Sequence, residues 1–148
     1  MVRAVSPSNI IYSFVLVHAL VSDFHGRSHF YTGVPTTLVQ NIFIATVIVA
    51  MPLLAVVLLT RRRMNAGCAI LSLSMLGSFI FGVVFHFMLD APDQYSNVYG
   101  HGSQMFCISA ILLATLELIG ILWGFYCWQC HKTCRSRGAP PQAAEVQW

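Results

Sequence analysis

The sequence predicts an all-α integral membrane protein, a four-helix transmembrane bundle with both termini in the cytoplasm. Three observations predict it. The chain has 148 residues, of which 57% are hydrophobic and only 9% charged, against roughly 25% charged in an ordinary soluble domain. The runs Gln40–Leu59, Gly67–Leu89 and Met105–Tyr126 contain no basic residue, and each can cross about 30 Å of hydrocarbon as a helix. Basic residues gather in the connections at one side of those runs.

These numbers exclude whole classes. Eight basic and 5 acidic side chains are too few to solvate a globule of this size, so a water-soluble enzyme is ruled out. A mean hydropathy of +0.70 rules out a disordered chain. The net charge of +3 is too small to argue for a nucleic-acid partner.

The first helix is expected over roughly 8–29, with Ser6 as cap and Pro7 at the first helical position. Its apolar stretch is interrupted by His18, and a signal peptide is the competing reading, with Arg3 as the charged end. The second, roughly 38–60, contains Pro52, which should kink it by removing one backbone hydrogen bond. The third and fourth are expected over roughly 67–90 and 104–128. Residues 1–130 thus form one transmembrane domain, followed at 131–148 by a basic and then disordered tail. Arg61–Arg63 and Lys132, Arg135 and Arg137 lie on one side, which the positive-inside rule makes cytoplasmic. The connections Asp23–Leu38 and Asp90–Ser103 then face outward.

Polar residues on helices in lipid must turn toward protein. On the first helix His18, Ser22, His25 and His29 fall within an arc of about 60°. On the third, Ser74, Ser78, Gly82, His86 and Asp90 recur every four residues as a slanting seam. On the fourth, Ala110, Glu117, Gly120 and Gly124 share one side, the last two in a GxxxG pattern. The three seams agree on one interior.

Depth then suggests partners. His18 and Glu117 lie at similar heights near the bilayer centre and are expected to pair, as a proton relay, a substrate contact or a packing bond. Toward the outer face His25 and His29, and His86 and Asp90, each have i, i+4 spacing, with His101 and Asp93 in the nearby loop. Two helices bringing imidazoles and a carboxylate together can bind zinc, copper or iron. The same groups, His86, Asp90, Glu117 and His18, can serve as acid and base in catalysis. The alternative is a solvated polar rim.

Cys127-Trp-Gln-Cys130-His131 spells the CxxCH attachment pattern of c-type haem. Covalent haem is disfavoured, because that attachment occurs outside the cytoplasm and the charge rule puts this segment inside. Cys127, Cys130, His131 and Cys134 also suit a zinc set or palmitoylation. Walker A, HExxH and GxSxG patterns are absent from the chain.

Three functions remain. The first expectation is a non-catalytic accessory or scaffold protein whose seams dock helices within itself or onto a larger complex, with other membrane subunits or a homo-oligomer as candidate partners. A small membrane enzyme acting on a lipid-soluble substrate is the alternative, and a metal- or proton-handling carrier the third. A transition metal is the cofactor to look for.

Overall fold

A computed structural model describes residues 7–136, all of whose regular structure is helical. Four long helical segments follow one another: α1 (Pro7–Thr32), α2 (Leu38–Thr60), α3 (Met64–Met88) and α4 (Ser103–Ser136). Three of them, α2, α3 and α4, are long and apolar enough to cross a membrane. α1 carries His18, Asp23, His25, Arg27 and His29 along its length. It runs through Gly26 to Thr32, so all three of its histidines sit on one helix. α4 continues past its expected end near 128, through residues 131–136. The expected disorder of 137–148 concerns residues outside those described.

Three of the helices, α2, α3 and α4, have identifiable start or stop chemistry. Thr37 and Gln40 form a capping box at the head of α2: Thr37 Oγ1 accepts from the Gln40 N–H at 3.2 Å, and Gln40 Oε1 accepts from the Thr37 N–H at 2.7 Å. Pro52 leaves its mark just upstream, where Ile44–Ala50 widens into π-helical turns. A proline ring crowds the carbonyl four residues back and offers it no N–H, and a wider turn relieves both problems. α3 ends in a second π turn, Val84–Met88, after which Leu89 becomes extended (ψ 138°) and Pro92 forbids a restart. Asp90 therefore lies beyond the helix. A tight turn through Arg61–Arg63 joins α2 to α3, with Arg62 at φ 59°. Gly102, at φ 94°, turns the chain into α4 while lying against the end of α1, where a Cβ would meet Thr32 and Tyr31 at 3.4 and 3.5 Å.

Packing around the interior runs α2 on α3, α3 on α4 and α4 on α1, with α3 on α4 the most extensive interface. Ile11, Val15, Ala55, Leu59, Cys68, Leu71, Met75 and Cys127 make the apolar core. The core occupies the half of the molecule nearest the Arg61–Arg63 turn. The small residues of the seams are used here. A Cβ on Gly120 would stand 2.7 Å from Met75 Cγ and 2.8 Å from Phe14 Cζ. One on Gly124 would stand 3.1 Å from both the Cys68 carbonyl and the Ser72 backbone nitrogen. The GxxxG face is thus spent inside the chain, against α1 and α3. In the other half, α1 and α2 separate around a cavity, and the buried polar residues gather there.

Candidate metal centre and the cavity beneath it

Three imidazoles converge near the C-terminal ends of α1 and α3. His25 and His29 come from successive turns of α1, and His86 from the π turn that closes α3. One nitrogen from each lies within 4.8 Å of those from the other two. The ring centroids of His25 and His29 are 4.9 Å apart, as are those of His25 and His86. Phe106 of α4, fully buried, packs against all three at 4.8–5.2 Å.

Hydrogen bonds behind the rings hold their orientation. Ser109 Oγ lies 2.9 Å from the Phe106 carbonyl and 2.8 Å from His25 Nδ1, and its single proton can serve either. The Asp93 carbonyl is an acceptor for His86 Nδ1 at 3.0 Å. With the Ser109 proton directed to the Phe106 carbonyl, both neutral rings carry their protons on Nδ1; with it directed to His25 Nδ1, His25 Nε2 donates to His86 Nε2. In the first arrangement each Nε2 presents a lone pair, and the two Nε2 atoms face each other at 3.1 Å. Two lone pairs at this distance repel unless a cation lies between them. His29 Nδ1 is buried without a hydrogen-bond partner among the described residues, and stands ready as a third donor.

A chain of contacts holds this arrangement. The α2 capping residue Gln40 donates through Nε2 to Asp93 Oδ2 at 3.3 Å, and both residues are buried. Asp93 thus ties the head of α2 to the loop after α3 while its own carbonyl orients His86. Such partners behind a ligand hold the ring orientation and the tautomer that a metal needs.

A cavity of about 240 Å³ runs from this cluster toward the middle of the helices. Its mouth is lined by His25, His29, Thr36, Gln40, His86 and Asp93. Its walls are mostly apolar, from Ile44, Ile48, Phe81 and Leu113, and its inner end is lined by Ser78, Gly82 and Glu117. Both π segments border it. At the inner end Ser78 Oγ donates to Glu117 Oε1, and His18 Nε2 lies 3.7 Å from the same oxygen, too far for a hydrogen bond. His18 is 1% exposed, and this nitrogen makes no hydrogen bond among the described residues.

Of the residues expected from sequence to hold a metal, His25, His29 and His86 come together and Asp90 does not. Asp90 is exposed, and its Oδ1 accepts from Asn97 Nδ2 at 2.9 Å. The expected i, i+4 relation with His86 fails because α3 stops at Met88. His101 is exposed in the loop. His18 and Glu117 are neighbours, as their matched depth suggests, but they lie at the inner end and not at the mouth. Asp93, Gln40 and Ser109 had no assigned part. The Thr37-x-x-Gln40 spacing is a capping-box signal that announces Gln40, whereas nothing local singles out Ser109. Cys127 is buried in the core on an unbroken helix with Cys130. The side chain of Cys134, in the expected zinc or acylation set, lies outside the described residues.

The His18–Glu117 contact is testable by a double-mutant cycle. His18→Ala and Glu117→Gln, scored by stability in detergent, are expected to show coupling of about 0.5–2 kcal/mol. Additive losses would mean that each residue is stabilised by some other neighbour.

The fold and site together define a protein that is all-helical over the described residues, with three helices fit to cross a membrane and a cluster of three histidines, two buried and one half-buried. Compared with known protein families, curated proteins and solved structures, the chain matches none. Function must be argued from the site itself.

Proposed function

We propose that the protein is a multi-pass membrane protein of four spanning helices, both termini cytoplasmic, that binds a transition-metal ion at its outer mouth through His25, His29 and His86. The observation that carries this reading is the convergence of three imidazoles, with two Nε2 atoms facing each other at 3.1 Å, the rear nitrogen of each held, and a nitrogen of the third ring within 4.8 Å. At a zinc–nitrogen distance of about 2.0–2.1 Å, two nitrogens this far apart subtend about 100° at the ion, close to tetrahedral. His29 completes the set by closing on the ion by about 1–2 Å, since tetrahedral donors sit about 3.3 Å apart. A shared proton would satisfy two imidazoles, but it leaves the third without a role.

Three neutral imidazoles suit zinc, copper, iron or nickel. They leave a fourth position for water or substrate, the arrangement of catalytic rather than structural zinc. That position would open on the cavity.

Equilibrium dialysis of the detergent-purified protein against zinc is expected to load about one ion per chain, the stoichiometry of a single three-histidine site. Loading that is unchanged when all three histidines are replaced by alanine would overturn the reading. Orientation is checked separately, in a cysteine-free background. Ser96→Cys is expected to react with an impermeant thiol reagent in intact cells and Ser136→Cys to stay protected. The reverse pattern contradicts the topology.

A further inference from the structure

The cavity under the histidines has two polar ends separated by an apolar shaft. On α3 the ends are His86 and Ser78, eight residues apart on a helix that rises about 1.5 Å per residue. The shaft is therefore about 12 Å long. An ion passing down it would leave three imidazoles for a stretch walled by Ile44, Ile48, Phe81 and Leu113, with the Ser22 hydroxyl as a poor replacement for its ligands. A slender apolar molecule fits those walls without such a cost. Glu117 marks where its polar end would sit. Glu117 Oε1 is taken by Ser78, while Oε2 lies beside Gly82 at the cavity wall, 3.9 Å from where a Cβ on that residue would be.

Access is also visible. The outer halves of α1 and α2 border the cavity with Gly26 and Asn41, both exposed. A Cβ on Gly26 would have nothing within 4 Å. The helices meet instead through the Met51–Thr60 half of α2. The opening between them faces the flank of the bundle, where lipid would lie.

We infer that the cavity binds a neutral, slender, lipid-soluble alcohol that enters between α1 and α2, with its hydroxyl held by Glu117 Oε2 and its far end against the three imidazoles. Only the placing of that far end at a metal rests on the function proposed above. The apolar shaft and the carboxyl at its end select the ligand by themselves.

The test uses a straight-chain alcohol carrying a mid-chain diazirine, irradiated with the detergent-purified full-length protein and mapped by mass spectrometry. Adducts are expected on Ile48, Phe81 and Leu113, suppressed by excess octanol and not by octane. Glu117→Leu is expected to cut labelling about tenfold, the loss of one buried hydrogen bond to a carboxyl group. Gly82→Val, which crowds Oε2 without removing it, is expected to do the same while zinc loading is unchanged. Adducts confined to outward-facing Ile111 and Leu112, equal competition by octane, or full labelling of the Gly82→Val protein would each overturn the inference. Cavity labelling that persists in protein unable to load zinc supports this site and removes the metal reading alone.

Discussion

Replacing His86 with alanine is expected to weaken metal binding by more than about 100-fold, while the protein still inserts and folds. The size follows from what His86 does. It supplies one of two nitrogens already set 3.1 Å apart, and its Nδ1 is the point through which Asp93 and Gln40 hold the site. Partners behind a ligand are typically worth 10–100-fold in affinity, so Ser109→Ala, which frees His25 Nδ1, is expected to fall in that range. Asp90→Ala is expected to leave affinity unchanged, because that carboxylate bonds to Asn97 in the exposed loop. Competition against a chromophoric zinc chelator measures all three. Equal losses for Asp90 and His86 would mean that the loop between α3 and α4 contributes to binding as a whole.

The largest effect on stability is expected at Gly124. Its face of α4 meets α3 so closely that any Cβ must displace backbone at Cys68 and Ser72. Backbone yields less readily than a side-chain tip. Gly124→Val is expected to destabilise the protein by about 3 kcal/mol, the upper end of overpacking costs. Gly120→Ala is expected to cost less, since its neighbours are the movable ends of Met75 and Phe14. Gly26→Ala is the control, expected to be neutral or stabilising by up to about 1 kcal/mol, because the position is helical and open. Thermal unfolding in detergent ranks the three. A Gly124→Val protein as stable as the parent would refute the close α3–α4 contact.

Much of this was legible in the chain because lipid makes polarity informative. A histidine or glutamate on an apolar helix has to face protein, so His18, His25, His29, Ser78, His86 and Glu117 could be assigned to the interior from angle alone. Depth then paired His18 with Glu117. What failed was the end of α3. A seam repeating every four residues points to Asp90 as the next member, but the π turn at Val84–Met88 and Pro92 take the chain out of register there. The site recruits a backbone carbonyl, that of Asp93, in place of a carboxylate. A main-chain acceptor is invisible to any reading of side-chain types. Ser109 is hidden for another reason, since its role depends on whether its only proton serves the Phe106 carbonyl or His25. The widened turns of α2 were foreshadowed by Pro52 as a kink, and the form that kink takes, a cavity wall, depends on tertiary packing.

X-ray absorption at the metal edge of the zinc-loaded, full-length protein tests the central claim most directly. The account predicts imidazole nitrogens as the dominant scatterers, about three per ion at about 2.0–2.1 Å, with a light oxygen atom in the fourth position. His25→Ala should lower the nitrogen count. A first shell containing sulfur at about 2.3 Å would place the metal at the cysteines near the other end of α4 and contradict the account.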